Sequence, residues 1–143
     1  YDNSIVATDH FLNATIQWLE TQADKAQTAM VYVSDHGESL GEGNLYLHGL
    51  PYAIAPDVQK QVPWITWLSP AMQSRSGVAT DCLQKDLAQR RITHDGYFHA
   101  VLGLMDVQST VYQAEQDIYA PCRDARQAPM AATTAPSTAH ARS

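Results

Sequence analysis

The chain has no apolar stretch near the ~20 residues of a membrane-spanning helix. Its longest such runs, Val101-Leu102-Gly103-Leu104-Met105 among them, are of core size. It has little positive charge: 9 Lys and Arg stand against 15 Asp and Glu, a formal net charge of −6 over 143 residues. That balance argues against nucleic acid and anionic lipid headgroups as electrostatic partners. Two cysteines, Cys82 and Cys122, are too few for a disulfide scaffold. They are free thiols in a reducing compartment, or paired with each other or with cysteines elsewhere in an oxidising one. Connectivity is not written in the sequence, and a mutual bridge is not the expectation. No basic and apolar leader opens the chain, which starts at Tyr1 without an initiator methionine; it is expected to be a piece of something longer. Against these absences, 45% of the residues are hydrophobic and 17% charged, enough to bury a core.

Ile5, Leu12, Ile16 and Leu19, with Phe11, Thr15 and Trp18 beside them, predict a helix with one apolar face, capped by Asn3 or Ser4. Asp9 and His10 fall on its solvated edge. Residues 28–33, Thr-Ala-Met-Val-Tyr-Val, read as a short buried strand of parallel type. A second strand over residues 62–68 carries Pro63, which confines it to an early position or an edge. Residues 78–87 are helical. Thr93 is placed to cap a further helix, with Asp95 in its first turn and Phe98, Val101, Leu102 and Met105 as its buried stripe. His94 and His99 on that helix read as hydrogen-bonded surface or core residues. Residues 124–143, rich in Ala, Thr, Ser and Pro, read as a disordered tail that includes His140. Helices alternating with strands give the α/β class.

Chemistry concentrates in residues 34–49, Ser-Asp-His-Gly-Glu-Ser-Leu-Gly-Glu-Gly-Asn-Leu-Tyr-Leu-His-Gly, at the carboxyl end of the first strand. Open α/β sheets place ligands there. Asp35 and His36 offer the oxygen and nitrogen donors that zinc accepts. Neighbouring side chains in a strand face opposite ways, so both reach one ion only where the strand breaks, and Gly37 supplies the break. His48 returns after the glycine-rich loop. Glu38 and Glu42 are placed to accept from a histidine ring and fix its tautomer. On spacing alone, a strand-end Asp is equally a turn former.

Residues 34–49 resemble the metal-binding signature of the bacterial phosphoethanolamine transferases, in the sulfatase and alkaline phosphatase superfamily. Further landmarks run in order: Tyr1-Asp2-Asn3-Ser4-Ile5, Thr8-Asp9, Val62-Pro63-Trp64, Thr93-His94-Asp95, Phe98-His99 and Asp117-Ile118-Tyr119-Ala120-Pro121-Cys122-Arg123. The resemblance thus covers residues 1–123, and it implies the C-terminal portion of an α/β/α sandwich of the alkaline phosphatase and sulfatase type. It implies Asp35 and His36 as ligands of a catalytic Zn2+, and His48 as the group that contacts the phosphoryl group or a second metal. It also implies a donor and acceptor, phosphatidylethanolamine and lipid A, with polymyxin resistance as the outcome. A threonine nucleophile, an acidic ligand, a further histidine and the membrane-spanning helices are implied upstream. That puts the parent, a monomer, in the bacterial inner membrane with its catalytic domain in the periplasm. Another superfamily hydrolase or glycan phosphotransferase shares the metal ligands, and a truncated, inactive fragment is the remaining alternative. Two departures stand out. Gly43-Asn44 reverses the family's usual order, which both residues tolerate through positive φ. Gly96 stands where relatives tend to carry Asn, at under ~1 kcal/mol to the helix.

Overall fold

The computed structural model describes residues 1–87 and 89–124; the expected tail from residue 125 onward, with His140, lies outside them. The chain divides into two compact units, residues 1–73 and a second beginning at Ser74.

In the first unit, α1 (Asp2–Glu20) starts earlier than its expected caps. Tyr1 is the N-cap, and Ser4, rather than capping, donates its hydroxyl back to the Tyr1 carbonyl at 2.6 Å. Thr8 and Thr15 likewise donate to carbonyls four residues back. Of the expected apolar face, Leu12 is buried, while Ile5, Phe11 and Trp18 are exposed. Asp9 and His10 are exposed, as read.

The apolar run forms β1 (Ala29–Val33). Its partner is β4 (Trp64–Leu68), and the pairing is antiparallel from Ala29 opposite Leu68 to Val33 opposite Trp64. The expectation of a parallel strand is therefore corrected for this pair. An apolar run encodes burial but not direction, and the chain between the two strands turns back on itself. Ser69 N–H donates to the Thr28 carbonyl at 3.0 Å, and Thr28 N–H to Ser69 Oγ at 3.2 Å, extending the pairing past the strand ends. Pro63, with no N–H, sits just before β4, the early position expected of it. Burial along β1 is also less complete than read, with Met30 buried and its neighbours half-buried. Between these strands lie a hairpin of β2 (Ser39–Leu40) and β3 (Tyr46–Leu47), closed by a 3-10 turn at Glu42–Asn44, and then α2 (Asp57–Lys60).

After α3 (Pro70–Ser76), the second unit contains α4 (Thr80–Leu87), α5 (Asp95–Leu104) and a 3-10 turn at Ala120–Cys122. Cys82 on α4 is bridged to Cys122, which corrects the expectation against a mutual disulfide. The two lie 40 residues apart, beyond the reach of any spacing rule, yet their Cα atoms are 5.5 Å apart. Closing a loop of that length stabilises by about 4 kcal/mol in the chain-entropy picture. Beside the bridge, Ala79 N–H donates to the Cys122 carbonyl, and Asp124 N–H to that of Gly77.

The buried stripe of α5 is not the one expected. Gly96, His99, Ala100, Gly103 and Leu104 face inward, while Phe98 and Met105 are about half exposed. The small residues explain it. A Cβ on Gly96 would stand 2.8 Å from the Gln116 carbonyl oxygen, and one on Gly103 would collide with the carboxylate of Asp117. The helix therefore presents its smallest face to the 116–117 segment, and Gly96 provides clearance as well as a weakened first turn. His94, not Thr93, is the N-cap; Thr93 instead accepts from Gly96 N–H through its carbonyl.

Asp117 is fully buried. It accepts from Tyr112 Oη and Tyr119 N–H, each at 2.8 Å, and lies 3.4 Å from Arg123 Nη2. Burial, then the bond to Asp117, push the Tyr112 phenol up to about 12. His99, buried as its sequence reading allowed, accepts through Nδ1 from Gln113 N–H at 3.1 Å.

Candidate metal centre

Directly after β1 the backbone turns on itself. Ser34 Oγ donates to the His36 carbonyl at 2.9 Å, and His36 N–H donates to Asp35 Oδ1 at 3.1 Å. The strand break attributed to Gly37 is real, but its cause differs from the one expected. A Cβ on Gly37 would stand 1.9 Å from the Val58 carbonyl oxygen, so the residue is required for close approach rather than for an unusual φ.

The loop then brings His36, Glu38 and His48 together, each offering one ligand atom within 4.8 Å of the others. The imidazole rings of His36 and His48 lie 3.7 Å apart, tilted by 30°. His36 Nδ1 is 2.9 Å from the Gly37 carbonyl oxygen. A carbonyl only accepts, so Nδ1 carries the proton and Nε2 keeps its lone pair. His48 repeats the arrangement: its Nδ1 lies 3.2 and 3.3 Å from the two Glu38 carboxylate oxygens, which again leaves Nε2 free. Asp35 is outside this triad but adjacent to it, with Oδ2 3.7 Å from His36 Nε2. Ligand atoms at 2.0–2.2 Å from a tetrahedral ion stand roughly 3.4 Å apart, so this pair has close to the spacing that one zinc ion accepts. The donor set of one or two carboxylates and two imidazole nitrogens fits that ion. Asp35 is largely open to solvent, His36 and His48 are partly so, and Glu38 is the most covered of the four.

Glu38 therefore does what the sequence suggested, orienting a histidine ring. Glu42 does not. Its carboxylate accepts from Leu40 N–H at 2.8 Å, and backbone N–H donors, its own first and Leu40's second, hold it below the usual carboxylate range. It shapes the turn instead. Gly43 at φ 61° and Asn44 at φ 62° are both left-handed, a conformation that both residue types tolerate. Leu47, at φ 65°, holds the same rare conformation immediately before His48. A cavity of about 440 Å³ opens beside the loop, with Thr8, Asp9, Tyr32, Asp35, His36 and Glu38 among the residues lining it. Gln59, buried against this loop, carries no sequence signal of its own; a polar residue in a four-residue helix gives no hint of burial.

An antiparallel strand pair ending in a His–Glu–His cluster, with an aspartate alongside, defines an α/β domain with a metal-competent site at a strand's carboxyl end. The sulfatase family profile matches residues 1–107, and the chain belongs to that family. The phosphoethanolamine transferase EptA of Salmonella typhimurium is 50% identical over 123 residues, 86% of this chain and 22% of that protein. The phosphatidylethanolamine transferase Mcr-1 of Escherichia coli is 43% identical over 107 residues, 75% of this chain and 18% of its own length. Among solved structures, the soluble domain of lipooligosaccharide phosphoethanolamine transferase A from Neisseria meningitidis superposes with a TM-score of 0.81 at 45% identity, covering 87% of this chain and 37% of that one. The chain thus spans about a fifth of the length of these curated relatives. The fold class read from the sequence, a portion of the sulfatase-type α/β/α architecture, stands.

Proposed function

We propose that this chain is the C-terminal part of the periplasmic catalytic domain of a zinc-dependent phosphoethanolamine transferase, which moves phosphoethanolamine from phosphatidylethanolamine to lipid A. The observation that carries the reading is the pair of imidazoles with Nδ1 committed and Nε2 free, next to the Asp35 carboxylate. Asp35 and His36 hold the zinc ion in this proposal. When bound, zinc supplies Lewis-acid polarisation of phosphoryl oxygens. His48, oriented through Glu38, donates from Nε2 to the transferring group when it is protonated, and the carboxylate stabilises the resulting imidazolium. The nucleophile belongs to the rest of the enzyme, and the 143-residue chain alone is inactive. Phosphoethanolamine on lipid A brings a cation to an anionic surface, the basis of polymyxin resistance.

Among the described residues no helix is long and apolar enough to cross a membrane. In this proposal the enzyme is anchored in the inner membrane through other parts of the protein and acts as a monomer. The Cys82–Cys122 bridge supports an oxidising compartment such as the periplasm.

Mass spectrometry of lipid A from cells expressing the full gene tests the reading. The expected result is an added phosphoethanolamine group that disappears with Asp35→Ala or His36→Ala, both of which also lose zinc. His48→Ala is expected to keep zinc and lower transfer by roughly 10²–10³-fold. Unmodified lipid A overturns the acceptor, and wild-type zinc content in both ligand variants overturns the ligand assignment.

A further inference from the structure

The group that orients His48 is itself held from behind. Glu38 lies between two residues gripped by one neighbour, Gln59. The Gln59 carbonyl accepts from Gly37 N–H at 3.0 Å, and its side-chain amide donates to Ser39 Oγ at 2.7 Å. Gln59 and Ser39 are both buried, at 7% and 1% exposure, so no water competes for this contact. A Cβ on Gly37 would point at Val58 and Gln59, and the Ser39 hydroxyl at the start of β2 meets Gln59, so both residues face α2. The Glu38 carboxylate between them is turned to the other side, where it meets His48 Nδ1.

The same grip reaches His48 by a second route. Ser39 pairs with Leu47 in the hairpin, so its position sets that of the residue preceding His48. Gln59 is in turn placed by the single turn of α2, where its N–H donates to the Pro56 carbonyl and Lys60 pairs with Asp57 at 3.2 Å. Gly37 completes the fit, because any larger residue would meet the Val58 carbonyl and push the loop off α2.

We infer that Gln59 is a positioning residue of the metal centre: its backbone and side chain together fix the Glu38–His48 contact and hold His36 in reach of it. It touches neither metal nor substrate. The inference deepens the proposed function and rests on it for the metal, but the positioning of Glu38 stands on contacts independent of any ion.

The test uses the full-length protein with Gln59→Ala, Ser39→Ala, the double variant and Gln59→Glu, whose carboxylate can accept from the Ser39 hydroxyl. Zn2+ affinity is measured by competition with a chromophoric chelator, and amide hydrogen exchange is followed over residues 36–48 and 95–123. Each alanine variant is expected to weaken Zn2+ binding by roughly 10-fold through the ligand His36, which the loosened loop carries, and not through His48; that is the usual size for a group supporting a ligand. The double variant should be no weaker than either single one, and Gln59→Glu should recover most of the loss. Exchange should rise over residues 36–48 and stay unchanged over 95–123. Unchanged exchange in the loop overturns the inference. So does faster loop exchange with wild-type Zn2+ affinity, which would make the contact merely structural. If His36→Ala leaves Zn2+ binding intact, the metal reading fails on its own, and loop exchange alone then decides whether Gln59 positions Glu38.

Discussion

The loop of residues 34–49 and the segment of residues 95–123 draw on the same chemical groups and use them in opposite ways. Both hold histidine, a carboxylate and glycines pressed against a neighbour. In the second segment the polar groups are buried and pair with one another, Arg123 with Asp117 by charge. His99 is 7% exposed with Nδ1 taken by a backbone N–H, and Asp117 is fully buried among Tyr112, Tyr119 and Arg123. In the first, the histidines are close to half exposed and each keeps one nitrogen uncommitted. Polarity alone therefore does not mark a site. What marks it is donor capacity that faces solvent instead of the interior. Gly103 clears room for a carboxylate that is fully used, whereas Gly37 clears room for a backbone turn that aims two others outward.

The contrast can be broken most forcefully at Asp117. Asp117→Ala leaves the Arg123 guanidinium buried without its counter-charge, and is expected to cost about 3–5 kcal/mol. Urea unfolding measures it, and a loss under 1 kcal/mol would show that the buried network is not a stability element. Gly37→Ala strikes the other region. The collision with the Val58 carbonyl is expected to cost about 1–3 kcal/mol. It should also weaken Zn2+ binding in the full-length protein, which Asp117→Ala in its folded fraction should not. Equal Zn2+ losses in the two variants would erase the distinction between the two regions.

The smallest effect is a pH dependence. Tyr112 titrates in the fold at about 12, above its ordinary 10.0, so the neutral phenol is the stabilised form. Its contribution is complete below pH 10 and disappears as the pH rises from 10 through 12. Tyr112→Phe should cost about 1–2 kcal/mol at neutral pH by removing a bond to a buried carboxylate. It should also flatten the alkaline side of the stability curve. Alkaline unfolding followed by circular dichroism checks both, and a curve as steep as wild type would assign the alkaline transition elsewhere.

The site loop was legible because it breaks an apolar run with a dense cluster of polar residues and glycines. Each of Asp35, His36, Glu38 and His48 could be named from that pattern before any fold was known. Strand direction was not legible, since Val31 and Tyr32 look the same in either orientation. The α5 face was misread for a deeper reason. Counting apolar side chains sends Phe98 and Met105 inward, but the partner is a buried polar segment that only a glycine and alanine face can approach. No residue scale contains that partner. The Cys82–Cys122 pairing and the role of Gln59 fail in the same way, because both depend on contacts made 20 to 40 residues away along the chain.

The separation of the two bridged cysteines also has a consequence in time. Ribosomes add about 5–20 residues per second, so the 40 residues between Cys82 and Cys122 take about 2–8 s to make. Throughout that interval Cys82 is present while its native partner does not yet exist. The ring finally closed encloses all of α5 and the Asp117 segment, so oxidation seals that region only after its whole length has been synthesised.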